Sequence, residues 1–387
     1  MYYNVPMEKP KVAIVHDFIT QYGGGEKVVA TLSEIWPDAP IYTSMYQPTK
    51  IDNLFKDKEI ITMGDTANKI IKTFPILSKW FVFLIPLAFE NFDLSSYDIV
   101  ISSSVLYSKG VITTPEQLHI SYVHTPPRFL YGYSVESTKR NFFIYRPVVK
   151  LVDHYFKIWD FIAAQRPDYL LTISKNVRER IHKFYKRDAD VIYPPVDTNI
   201  QTNTKQDNLK QPYYLALNRL VAYKNFDLVI EAFNILDLPL KIVGTGIEEK
   251  RLKALAKSTN IEFLGRVTEE RKHELMEHAM GIIQPVEEED FGIVPIEALA
   301  HGTPVFAHRS GGSKETIRDG IDGMFFDFLD LEHFVERFRE FDEAVRTHEY
   351  KKEEMKKYAN KFSKARFKKE FKDYVMQKWG EKQKEDA

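Results

Sequence analysis

Cysteine is absent from all 387 residues, which excludes disulfides, cysteine zinc sites and thiol nucleophiles and leaves the redox compartment open. No window offers about eighteen uninterrupted apolar residues, so no membrane-spanning helix is expected. The nearest, Trp80 to Ala88, is too short and contains Pro86. An excess of charge is missing too: 54 Lys and Arg stand against 55 Asp and Glu, a formal net charge of −1, so no global pull toward nucleic acid is expected. The first residues, MYYNVPMEKPKVAIVH, lack a basic region followed by a long apolar run and a small-residue cleavage site, and the expected compartment is the cytoplasm. Strings of the GxGxxG, Walker A, GxSxG and HExxH types are also missing, which argues against the chemistries they carry.

What remains is an alternation. Short β-rich runs at Lys11 to His16, Ile41 to Met45, Asp98 to Ser103, His119 to His124, Tyr169 to Ser174 and Asp190 to Tyr193 are interleaved with helical stretches. The pattern restarts at Tyr213 to Leu217 and continues through Leu240 to Val243, Ile261 to Leu264, Ile282 to Gln284 and Val305 to Ala307. Strands interleaved with helices predict parallel α/β sheets with ligands at the strands' carboxyl ends. Between the two series, Asp197 to Pro212 is polar and bounded by prolines, the composition of a linker. Two Rossmann-like halves follow, residues 1–198 and 213–360, with 199–212 between them and a terminal amphipathic helix at 361–387.

One stretch organises the rest: Gln284 to Thr316, QPVEEEDFGIVPIEALAHGTPVFAHRSGGSKET. It reads as strand, acidic loop, helix from about Pro295, stop at Gly302, and strand. Unpaired amides at a helix start, with Gly292 allowing close approach, suit a phosphate. Glu289 before the helix and Glu297 within it suit hydroxyl recognition beside that anion. Gly23, Gly24 and Gly25 after the first strand repeat the phosphate-approach geometry in the first half. Asn218 to Asn225 adds Arg219 and Lys224 on a strand-to-helix turn, a planar fork and a compact charge. His124 ends a strand in the string SYVHTPPR and could donate to a sugar hydroxyl or a phosphate oxygen.

Glu289 and Glu297 seven residues apart, with Phe291 and Gly292 between them and GTPV after, resemble the donor-site motif of retaining glycosyltransferases of family four, which have the GT-B fold. IVHDF, GGGEKV, DIVISSS, HISYVHTP and VIYPPVD extend the resemblance to the mannosyltransferase-like branch that builds bacterial surface polysaccharides. It implies that Arg219 and Lys224 hold the donor diphosphate with the amides of Phe291 to Ile293, without a metal or other cofactor. It also implies that Glu289 positions the sugar, Glu297 the ribose hydroxyls, and that His124 assists transfer. Gly24, Gly25, Gly246 and Val267 complete the donor set, and the last helix is expected to cross back onto the first half.

The implied reaction is retaining transfer of a hexose, with mannose from GDP-mannose favoured, to a glycan or lipid-linked acceptor. Asp17, Tyr107, Arg128 and Tyr131 are the candidate acceptor contacts. A glycoside phosphorylase of the same fold and a catalytically idle sugar-nucleotide-binding subunit are the alternatives. Asp188-Ala189-Asp190 forms a DxD triplet, but between a helix and a strand and beside Lys186 and Arg187 it makes a poor metal site. The aromatic stretch Phe74 to Phe92, preceded by Lys69 and Lys72, is an expected contact with the inner face of a membrane.

Overall fold

Runs that are apolar on both faces, such as VAIVH, LHISYV and YLAL, offer no side to water and must be covered from above and below. In the computed structural model, which describes residues 9–21, 23–51, 54–63, 85–134, 146–199 and 212–385, these runs lie inside two parallel sheets. The first contains β1 (Val12–His16), β2 (Ile41–Thr43), β3 (Ile60–Thr62), β4 (Ile99–Ser104), β5 (Leu118–Val123), β6 (Tyr169–Thr172) and β7 (Asp190–Val191). Its order is β3-β2-β1-β4-β5-β6-β7. The second contains β8 (Tyr214–Leu217), β9 (Leu240–Val243), β10 (Ile261–Gly265), β11 (Gly281–Gln284), β12 (Val305–His308) and β13 (Gly323–Phe326), ordered β10-β9-β8-β11-β12-β13.

The pairings are parallel throughout, with Val12 to His16 in register with Ile99 to Ser103 and Ile282 to Gln284 with Val305 to Ala307. Both sheets are therefore Rossmann-like, as the alternation implied. Strand order reverses between β1 and β4 and again between β8 and β11, and a crevice opens outside the carboxyl ends at such a point. The loops after β1, β5, β8 and β11 carry the candidate site.

The terminal helix, Lys364–Glu385, does cross back. Phe367, Phe371 and Val375 recur every four residues and are fully buried, an apolar stripe that needs a partner. That partner is the first domain: Phe367 and Phe371 pack edge-on against Tyr122, and Phe371 against Trp36 at 6.1 Å. Tyr374 donates to Asp190 at 2.9 Å, so one carboxylate of the DxD triplet serves this seam.

Residues 74–84 of the expected membrane stretch, and 200–211 of the expected linker, lie outside the described residues. The described end of the membrane stretch is partly core and partly open, with Leu87 exposed. In helix Ile85–Glu90, Phe89 is fully buried and stacks on Tyr107, while Phe92 packs against Tyr42.

Candidate active site

Two helix starts meet across the crevice. Helix Gly24–Ile35 follows β1, and its N-cap, Gly23, offers no side-chain hydrogen bond. Helix Ile293–His301 follows β11, and its N-cap, Gly292, has φ 95° and likewise offers none. That left-handed backbone explains the glycine. The starts are in contact: a Cβ built on Gly24 would lie 3.0 Å from Ile293 Cδ1. Gly24, Gly25, Gly292 and Ile293 all line one cavity of about 250 Å³, together with His124 and Lys224. At the Gly24 start the buried Glu26 carboxylate accepts the backbone N–H groups of Gly23 and Glu26, so it is the Gly292 start whose first-turn amides are left for an anion.

Glu289 also lines this cavity. Its Oε2 lies 3.0 Å from Lys224 Nζ and accepts from Gln284 Nε2 at 3.3 Å. Burial raises the Glu289 carboxyl, but Lys224, and then Arg128, outweigh it and hold the group below the usual carboxylate range. The loop is firmly built. Glu288 has φ 57°, an uncommon left-handed conformation for a residue with a side chain. Gly312 N–H donates to Glu289 O at 2.7 Å, and a Cβ on Gly311 would meet that same carbonyl at 2.2 Å. Asn225, itself at φ 52°, donates to Pro285 O at 2.9 Å and joins the β8 loop to the β11 loop.

His124 enters from β5. Its Nε2 is 2.8 Å from Ser103 Oγ on β4, and the His16 ring stands 6.4 Å away, edge-on. Burial, then the His16 ring, pushes its pKa down to about 3. His124 is therefore a neutral hydrogen-bonding group near pH 7 rather than an imidazolium acid. His119, at the opposite end of β5 and fully buried, pairs with Ser102 Oγ at 2.9 Å and is also pushed down to about 3, chiefly by burial.

These histidines set a pH dependence. Each is neutral when folded, whereas in the unfolded chain it takes a proton near pH 6.5. The unfolded state thus binds more protons below that value, and stability is complete above it and lost as pH falls from about 6.5 toward 3. Between pH 6.5 and 5.5, His119 alone is expected to remove up to about 1.4 kcal/mol. Urea unfolding at the two pH values checks this, and His119→Gln should flatten the slope. An unchanged slope in the variant would rule the assignment out.

Glu297 sits apart from Glu289, along a larger cleft of about 760 Å³ that it shares with Ile293, Lys27, Arg271 and His273. Its side chain is almost buried and takes Lys272 at 2.9 Å and, from the first domain, Lys27 at 3.7 Å. Both lysines also pair with Glu269.

Several residues without a signal in the sequence hold the Glu289 loop from the first domain. Asp290 is gripped by Arg180 and by Arg128 Nη1, the latter at 3.0 Å. Ser174 Oγ donates to Asp290 O at 2.6 Å and Asn176 Nδ2 to Glu289 O at 3.3 Å. Glu315 answers from the second domain by accepting the backbone N–H groups of Lys175 and Asn176, both at 2.9 Å, at the start of helix Lys175–Tyr185. Only Gly311 and Gly312 had a visible cue, the glycine pair directly after a strand.

Three of the acceptor candidates are corrected. Asp17 accepts four backbone N–H groups, from Val105, Leu106, Tyr107 and Ser108 at 2.6–2.7 Å, and both its oxygens are filled. Tyr107 is core, 4% exposed, between Phe89, Phe156 and Trp159. Tyr131 donates to the buried Asp160 at 2.8 Å and stacks on Phe184. Arg128 binds the Glu288 to Asp290 loop through Nη1, while its Nη2 makes no hydrogen bond among the described residues, so this candidate stands as an expectation. In the donor set, Gly246 presses against the Leu220 carbonyl, where a Cβ would sit 2.1 Å away, so its glycine is explained by backbone packing. Arg219 is exposed, with Nη2 3.5 Å from Tyr223 OH, and Val267 is half-buried against the core.

Comparison with known proteins finds glycosyltransferases by sequence and by fold. Residues 197–362 match the family model of Glycosyl transferases group 1. The alpha-1,3/1,6-mannosyltransferase of Dictyostelium discoideum is 24% identical over 371 residues, 81% of this chain and 85% of that protein. An uncharacterized glycosyltransferase of Methanocaldococcus jannaschii is 27% identical over 204 residues, 52% of this chain, and the match spans only 57% of that relative. Among solved structures, Anabaena HepE with UDP-glucose superposes with a TM-score of 0.67 at 15% identity, covering 95% of this chain and 100% of that one. The apo lipopolysaccharide outer core galactosyltransferase WaaB gives 0.66 at 16% identity, covering 95% and 99%. The chain thus has the GT-B fold, and over residues 197–362 it is similar to the Glycosyl transferases group 1 family.

Proposed function

We propose that the protein is a retaining, metal-independent glycosyltransferase that moves a hexose from a sugar nucleotide to a glycan or lipid-linked acceptor, with GDP-mannose the first donor to test. The observation that carries this reading is the convergence of the uncapped helix start at Gly292, Lys224, Glu289 and neutral His124 on one cavity, closed on its far side by Gly24 and Gly25. An anion with hydroxyls beside it, a sugar diphosphate, matches that set in charge and shape. The smaller cavity takes sugar and diphosphate, and the larger cleft beside Glu297 takes the nucleoside. The mannosyl donor rests on the similarity to mannosyltransferases.

In the step envisaged, the acceptor hydroxyl oxygen attacks the anomeric carbon while its bond to the phosphate oxygen breaks on the same face. The hydroxyl proton passes to a phosphate oxygen and nucleoside diphosphate leaves. Lys224 and the helix amides of Gly292 to Val294 balance the charge that develops there. Glu289, ionised and held by Lys224 and Gln284, fixes sugar hydroxyls. His124 donates a neutral hydrogen bond, so kcat/KM should show no limb near pH 6.5 from this residue.

A thermal-shift and calorimetry panel of GDP-mannose, UDP-glucose, UDP-N-acetylglucosamine, GDP and phosphate tests the donor class, because a ligand that prefers the native state raises its melting point. Silence toward every nucleotide, with stabilisation by phosphate alone, would overturn the transferase reading. The two domains should separate kinetically. Glu297→Gln is expected to weaken donor binding about tenfold with little change in kcat, by loss of a charged hydrogen bond. His124→Ala should instead lower kcat about 10–100-fold with donor affinity nearly unchanged.

A further inference from the structure

Helix Arg146–Ala163 is held to the first domain by one face only. Phe156, Trp159 and Ala163 are buried in the core, and Trp159 Nε1 donates to Glu90 at 3.1 Å. The opposite side is apolar and open to solvent. Val148, Leu151, Tyr155, Ile158 and Ile162 are 63%, 72%, 47%, 51% and 50% exposed. Their spacing of three and four residues in alternation places them in one stripe along the helix, about 21 Å from end to end. Six of the thirteen exposed large hydrophobic residues among those described lie on this one helix, Phe161 being the sixth. Such concentration marks a contact surface rather than scattered exposure.

Charge narrows the choice of partner. Lys150, His154 and Lys157, all exposed, form a second row at the same spacing beside the stripe. The helix has two carboxylates: Asp160 is fully buried against Lys109, and Asp153, half-buried on the side away from the stripe, lies one turn from both Lys150 and Lys157, which leaves the row a modest net positive charge. A second copy of this chain would bring two such basic rows together, which costs energy through like-charge repulsion. An anionic lipid surface meets both rows at once. It accepts the apolar side chains below the headgroups while flexible lysine stems carry their ammonium groups up to the phosphates.

We propose that this exposed face docks the first domain on an anionic lipid membrane, with the helix lying in the plane of the interface. The surface argument is independent of the transfer reaction. Flotation of the full chain tests it, using phosphatidylcholine vesicles with or without one-third phosphatidylglycerol, at low and high salt. The wild type should float with the anionic vesicles and be released by salt. Leu151→Asp combined with Ile158→Asp should cut vesicle binding about tenfold or more, with an unchanged melting temperature. Ile235→Asp with Ile247→Asp, exposed apolar residues of the second domain, should leave binding intact. A wild type that ignores anionic vesicles, or a Leu151 and Ile158 variant that floats like the wild type, overturns the proposal. So does a dimer broken by the same pair of substitutions in a protein that ignores vesicles, because the face would then belong to a second copy. The nucleotide panel is read separately, so failure here leaves the donor-site reading standing.

Discussion

Lys109→Met is expected to destabilise the first domain by about 3–5 kcal/mol, because breaking a buried ion pair strands its partner's charge. Lys109 and Asp160 are 1% and 0% exposed, with Nζ 2.5 Å from Oδ1. Removing the ammonium leaves the Asp160 carboxylate facing only the Tyr131 hydroxyl at 2.8 Å and the rings of Trp159 and Tyr185 near the vacated site. Lys109 Nζ also donates to Leu106 O, inside the very loop whose amides hold Asp17. The damage should therefore spread to the floor of the cleft. Asp160→Asn in the Lys109→Met background should recover part of the loss, since no charge is then buried alone. Denaturant unfolding of the wild type, the single variants and the double variant measures the coupling. Additive losses would show that the pair is not the unit supposed.

This pair shows why part of the site could not be read in advance. Strand and helix periodicity is local, and it revealed eleven of the thirteen strands among the described residues and the loops that follow them, while the strand order and its reversal points came only with the structure. The two strands it missed, β3 and β13, are edges. Ile60–Thr62 has only three residues, and Gly323–Phe326 opens on a glycine after a charged turn, so neither gives a long apolar run. The donor side was legible because its logic is also local: a helix start needs Gly292, and Lys224 and Glu289 sit on adjoining loops. The acceptor side was misread because polar residues near a cleft look alike in sequence whether they face ligand or backbone. Asp17 was assigned to an acceptor and is instead filled by four amides eighty-eight to ninety-one residues away. Arg180, Asn176 and Glu315 bridge the two domains, and no periodicity links positions so distant.

Lys224→Met is expected to lower kcat by about 10²–10³, the usual cost of removing one fixed group that balances transition-state charge. Two effects combine. The diphosphate loses a cation on the turn that faces it, and Glu289 loses the partner that keeps its carboxyl ionised against burial. The second effect has a signature the first lacks. With Lys224 gone, burial dominates and the Glu289 carboxyl should titrate at higher pH, so the acid limb of kcat should move upward in Lys224→Met. Glu289→Gln should lose activity but show no such movement, because nothing remains to titrate there. If the pair acts as one unit, the double variant should be no slower than the worse single variant. Losses that multiply, with the acid limb fixed, would mean that Lys224 serves the phosphate alone and that Glu289 is held by Gln284 and its loop. An intact melting curve in each variant keeps the comparison on chemistry rather than folding. The outcome decides whether charge balance and sugar positioning in this cleft are one device or two.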